Sequence, residues 1–160
     1  MDRAAFVATY GAVYEDSPWI AATAYEALGA AHDDVDSLAG LMREIVDAAG
    51  AEKQLALLRA HPELADRVRL AGDMADASKA EQRGAGLDQC TAAEFTAFQR
   101  LNRAYRERHG FPFIIAVAGL DRQQILEALE ARVANDTAAE FRTALDQVHR
   151  IARIRLRAPI

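Results

Sequence analysis

Several short stretches of this sequence carry residue types that do chemistry. His61 precedes Pro62. Its ring therefore stands where a helix must stop, because a residue before proline avoids the α region and the proline φ is locked. A histidine at such a junction either caps the preceding carbonyls or carries protons, since it titrates near neutrality. Ser78, Glu81 and Gln82 are spaced i, i+3 and i+4, which sets three hydrogen-bonding side chains on one helical face. They form either a capping box on a turn soon ended by Gly84 and Gly86, or a cradle for a polar heterocycle. At roughly 100° per residue, Arg155 projects into the apolar face of the last helical stretch, between Phe141, Val148 and Ile151. A guanidinium there must snorkel, pair with a carboxylate or meet an anionic ligand.

Two further features are out of place for a plain core. Asn102 projects among Phe95, Phe98, Leu101 and Tyr105, where a buried amide is expected to tether a backbone turn. Gly110-Phe111-Pro112 opens the run Phe113-Ile114-Ile115-Ala116-Val117, too apolar for the surface and not helical at its start. Its backbone groups need partners from elsewhere, either within a buried connector or from a ligand.

The elements that must position these residues are read from caps and breakers. Ser17-Pro18 starts a helix with a hydroxyl N-cap over Trp19–Leu28, which Gly29 stops. Asp36 or Ser37 opens a second helix, with Leu38, Leu41, Met42 and Ile45 at helical spacing and Gly50 as its end. Glu52–Ala60 forms a third, and Pro62 restarts a short one over Glu63–Leu70. Thr91 with Glu94, and Thr137 with Glu140, match the capping box and open the helices Ala92–His109 and Ala138–Arg157. Asp121 caps Arg122–Ala134, and only Phe113–Val117 has strand character, with nothing to pair with. The expected architecture is all-α: a single compact multi-helix domain over residues 1–160, without repeats or linkers.

Composition narrows the function classes. With 24 acidic against 19 basic residues and a net charge of −5, the chain is a poor polyanion binder, so nucleic acid is not an expected partner. No apolar run approaches the ~20 residues of a membrane span, and no apolar signal core follows Met1-Asp2-Arg3. One cysteine and four scattered histidines supply neither a disulfide nor metal-ligand spacing, so no metal is expected and a reducing cytoplasm fits.

In this order the motifs resemble one family, the 2-oxo-4-hydroxy-4-carboxy-5-ureidoimidazoline (OHCU) decarboxylases of urate degradation. The resemblance runs through His61-Pro62-Glu63-Leu64-Ala65 and Ser78-x-x-Glu81-Gln82-x-x-Ala85-Gly86-Leu87. It continues in Leu101-Asn102-x-x-Tyr105, Gly110-Phe111-Pro112-Phe113 and Ile151-Ala152-Arg153-Ile154-Arg155-Leu156, covering nearly all the chain from about residue 15. It implies an all-helical, cofactor-free carboxy-lyase, acting as a homodimer, that converts OHCU to (S)-allantoin and carbon dioxide. The family's catalytic histidine and glutamate fall on His61 and Glu81, and its last-helix arginine on Arg155. Pro62, Ser78, Gln82 and the backbone of Phe113, Ile114, Ile115, Ala116 and Val117 match its substrate-binding positions. The rival expectation is a non-enzymatic helical interaction module, with Arg155 in an internal ion pair and His61 as a cap.

Overall fold

The computed structural model describes residues 1–29, 34–70 and 86–158. Among these the regular structure is helical, and the only β feature is an isolated bridge between Leu70 and Cys90. The all-α expectation holds. The chain divides into two compact units, Met1–His61 with Leu145–Ile160, and Pro62–Ala144.

The first unit opens with α1, Arg3–Tyr10, started by the Asp2 carboxylate accepting from the Ala5 N–H. The sequence signals above did not mark this helix. Next come α2 (Pro18–Glu26), α3 (Val35–Ala48) and α4 (Ala51–Ala60), each packed on its predecessor. The start of α2 is where proline predicts it, but the Ser17 hydroxyl does not cap it. Asp16 sits at φ +45°, and the turn directs that hydroxyl back onto the Glu15 carbonyl at 2.8 Å. For α3 the cap is Asp34, which accepts from the Ser37 N–H. The core gathers around Met42, Ile20, Leu57 and Leu58, all at most 1% exposed.

In the second unit, Pro62 is followed by a 3-10 turn, Leu64–Asp66, and not by the expected helix to Leu70. The Arg69 guanidinium takes the Asp66 and Val68 carbonyls, and the Arg69 N–H goes to the Leu87 carbonyl. With its hydrogen bonds satisfied in an extended path, the chain has no helix to continue. A second 3-10 turn, Leu87–Gln89, leads to α5 (Ala92–His109), whose Thr91–Glu94 capping box is reciprocal as predicted. The next helix, α6 (Arg122–Val133), has a capping box from Asp121 and Gln124.

The last helix, α7, covers Thr137–Arg157. Its expected Thr137–Glu140 capping box does not form. Asp136 accepts from the Ala139 N–H at 3.0 Å instead, and the Thr137 hydroxyl meets His109 Nδ1 at 2.9 Å. Glu140 is fully buried, bonded to Tyr105, Arg132 and Asn135. Tertiary donors have drawn the carboxylate inward from the helix end.

Candidate active site

His61 follows α4 in an extended conformation (φ −68°, ψ 138°), as a residue before proline must. Only its backbone N–H serves the helix end, reaching the Leu58 carbonyl at 3.3 Å. Among the described residues its side chain caps no carbonyl. His61 is 8% exposed, and its Nε2 has no hydrogen-bond partner among the described residues. Burial pushes its pKa down to about 4; the Glu15 carboxylate pulls upward and the Arg155 guanidinium adds to the depression. The ring is therefore neutral near pH 7, with an unused nitrogen and a charge of each sign near enough to act on it.

Arg155 does not lie in the apolar face of α7. Its long side chain leaves the helix toward the loop after α1, where Nη2 pairs with Glu15 Oε1 at 2.5 Å. Nη1 donates to the Val13 and Ala12 carbonyls at 3.2 and 3.4 Å. At 39% exposure the side chain keeps contact with solvent while its fork is held from two sides. Ala152 and Leu156 carry the buried face near this end of α7.

The loop that receives Arg155 is itself anchored. Between Val13 and Glu15, the buried Tyr14 joins its hydroxyl to His149 Nδ1 at 2.8 Å, and His149 Nε2 lies 3.2 Å from Asp47 Oδ1. Burial drives the Tyr14 pKa up and the His149 pKa down, the latter against the pull of Asp47. Both therefore stay neutral near pH 7, and the chain of bonds fixes where Glu15 begins. Glu15 escaped the sequence reading. Its one local signal is the Glu15-Asp16-Ser17-Pro18 turn, which marks a helix start and names no partner 140 positions away.

So the first unit brings together a neutral imidazole, a carboxylate and a guanidinium: His61, Glu15 and Arg155. Glu81, Ser78 and Gln82 lie outside the described residues. Pro62 and the Phe113–Val117 run belong to the second unit. Phe113 and Ile114 are buried, whereas Ile115, Ala116 and Val117 are half-buried. The run is irregular, as expected after Gly110, which ends α5 at φ +79°. Its Ile114 carbonyl accepts from Arg132 Nη1 at 2.8 Å, and its Val117 carbonyl from the Leu120 N–H at 3.0 Å. Asn102 tethers the Phe98 carbonyl at 2.8 Å, the structural role expected of it.

Cys90 is a buried free thiol whose pKa burial pushes up to about 11. Among the described residues no three His, Cys, Asp or Glu side chains group as metal ligands, and no helix is long and apolar enough to cross a membrane.

Comparison with known proteins adds an independent line. A family model described as OHCU decarboxylase matches residues 1–157. The 2-oxo-4-hydroxy-4-carboxy-5-ureidoimidazoline decarboxylase of Haloferax volcanii is 46% identical over 156 residues, covering 98% of this chain and 89% of that protein. Its counterpart in Halalkalicoccus jeotgali is 41% identical over 155 residues, covering 97% and 85%. Among solved structures, an (S)-allantoin synthase superposes with a TM-score of 0.78 at 33% identity over 98% of this chain. The chain spans 50% of the length of that solved protein.

Proposed function

The chain belongs to the OHCU decarboxylase family, and from that premise we propose that it decarboxylates 2-oxo-4-hydroxy-4-carboxy-5-ureidoimidazoline to (S)-allantoin, without a cofactor, in urate degradation. The observation that carries this reading is the family match across residues 1–157. The neutral His61 beside the Glu15–Arg155 pair, its Nε2 without a partner among the described residues, supports it, because it supplies what the reaction needs.

The bond to be broken joins the carboxylate to the ring carbon that also bears the hydroxyl. When carbon dioxide leaves, the bonding pair moves toward the adjacent ring imine carbon, which carries the ureido group. The imine nitrogen takes a proton from water, and an enol double bond joins the hydroxyl-bearing carbon to the nitrogen-bearing one. The hydroxyl then gives up its proton to become the carbonyl of allantoin, and the ureido-bearing carbon receives one. Delivery of that last proton to one face fixes the S configuration. No oxidant or metal enters the balance.

His61 fits the last two proton steps. Neutral at rest, it accepts the hydroxyl proton as a general base. The resulting imidazolium, whose pKa is near 4 in the empty site, is a strong acid and returns the proton to carbon. Glu15 opposes the charge that appears on the ring during that interval. Arg155, held by Glu15 and two carbonyls, presents its planar fork to oxygen atoms where negative charge grows. Gripping the departing carboxylate too tightly would stabilise the ground state and slow the reaction. Glu81 completes the catalytic set, orienting the imidazole or the substrate. Pro62, Ser78, Gln82 and the Phe113–Val117 backbone hold the substrate.

The whole chain acts as one functional domain, as a homodimer, in the cytoplasm; the family resemblance and the lone cysteine favour these assignments. The test is direct. Freshly generated OHCU is mixed with the purified protein and its disappearance is timed against spontaneous decay. A rate proportional to protein concentration is expected; decay unaffected by protein would overturn the reading.

A further inference from the structure

Arg132 lies in the last turn of α6, with its side chain only 11% exposed. Its guanidinium spans two very different partners. Nε donates to Glu140 Oε1 at 2.8 Å, and Nη1 donates to the Ile114 carbonyl at 2.8 Å. The guanidinium carbon stands 4.6 Å above the Phe113 ring centroid. Glu140, fully buried, also accepts from the Tyr105 hydroxyl at 2.7 Å and from Asn135 Nδ2 at 3.0 Å. One carboxylate thus collects donors from α5, from α6 and from the turn before α7. The α6 end is further held through His109, whose Nε2 lies 3.4 Å from the Arg132 carbonyl.

A buried ion pair is a weak source of stability, because desolvation offsets much of the attraction. What the pair does supply is direction. The Arg132 fork is fixed by Glu140 on one side and by the Phe113 ring below, so Nη1 fixes one backbone carbonyl in an irregular segment, while the buried Nη2 has no hydrogen-bond partner among the described residues. The Ile114 carbonyl and the Ile115 N–H belong to one peptide plane, and a trans peptide points them in opposite directions. Holding the carbonyl therefore aims the N–H. Among the described residues the Ile115 N–H has no partner, and Ile115 is half-buried. A donor so placed, with its direction set and no hydrogen-bond partner among the described residues, is suited to an oxygen of a bound molecule.

We propose that Arg132 is a positioning residue for the reaction: by holding the Ile114 carbonyl it orients the Ile115 N–H toward a carbonyl or carboxylate oxygen of the substrate. This role rests on the function proposed above and on the Phe113–Val117 backbone binding substrate. It predicts a binding defect, because the aimed donor meets the ground state as well as the transition state.

Two variants test it. Arg132→Lys keeps a cation opposite Glu140 but cannot also reach the Ile114 carbonyl with a second planar branch. Arg132→Met combined with Glu140→Gln removes both charges, so none is stranded, and residue 140 can still bond to Tyr105 and Asn135. That double variant is the safeguard should Arg132→Lys fail to fold. In both, KM for freshly generated OHCU is expected to rise at least tenfold while kcat changes less than threefold. Amide hydrogen exchange supplies a readout that a structural role would not move: allantoin should slow exchange at the Ile115 amide in the wild type and not in either variant. Unchanged KM in a folded variant would overturn the role of Arg132 alone. Absence of turnover in the wild type would overturn the functional reading beneath it.

Discussion

Lowering the pH from about 7 to about 5 should destabilise this fold by about 2 kcal/mol through His61 alone. The folded His61 has a pKa near 4 because it is buried, against an ordinary value of 6.5. Between those two values the unfolded chain binds the proton and the folded chain does not, so stability falls as the pH falls. Above about 6.5 the contribution is complete, and below about 4 both states are protonated and the dependence ends. The comparison that isolates this residue is urea unfolding of the wild type and His61→Asn at both pH values. His149 is also depressed by burial, but both proteins retain it and its contribution cancels. The wild type should lose about 2 kcal/mol more than the variant across this interval. Parallel losses in the two proteins would refute the claim that His61 is buried and neutral, and with it the base role drawn from that state.

Other outcomes follow from the same geometry. His61→Asn should fold and lose turnover by roughly 100-fold or more, the scale of general acid–base catalysis; near-native turnover in a steady-state assay would remove His61 from the mechanism. Arg155→Lys should lower kcat/KM at least tenfold, about 1.4 kcal/mol. Arg155→Met should be more severe for activity yet shift stability by less than about 1 kcal/mol, because its partner Glu15 remains partly exposed. A large fall in melting temperature with unchanged turnover per folded molecule would make Arg155 a structural residue. Tyr105→Phe removes a donor from the fully buried Glu140 carboxylate and should cost about 1.5–3 kcal/mol in urea unfolding; an unshifted midpoint would contradict that network. Activity should survive exhaustive chelation, and loss that one added metal restores would contradict the metal-free reaction.

How much of this was legible in the sequence depends on the range of the interaction. Helix starts set by neighbours three positions away were readable: the Thr91–Glu94 box opens α5 as predicted, and Asp121 opens α6. The same local pattern misled at Thr137, because Glu140 has stronger partners in Tyr105, Arg132 and Asn135 than a helix end offers. Projection put Arg155 in the apolar face of α7, but a side chain with several rotatable bonds goes to its counter-charge, and Glu15 lies 140 positions away. No periodicity reports such a pair. His61 was legible as a residue fixed at a helix junction; that its Nε2 is unpartnered depends on tertiary packing. The expected helix after Pro62 yielded to an extended path once Arg69 and the Leu87 carbonyl had supplied the bonds.

The most direct test of the central claim is the optical purity of the product. Spontaneous decay of OHCU passes through a planar carbon open to either face and gives racemic allantoin. A site that returns the proton from His61 delivers it to one face. Freshly generated OHCU should therefore give (S)-allantoin in large excess with the wild-type protein, followed by circular dichroism or chiral chromatography, and His61→Asn should drift toward the racemate. Racemic allantoin from the wild type, at any rate of substrate loss, would contradict a chiral decarboxylation site in this protein.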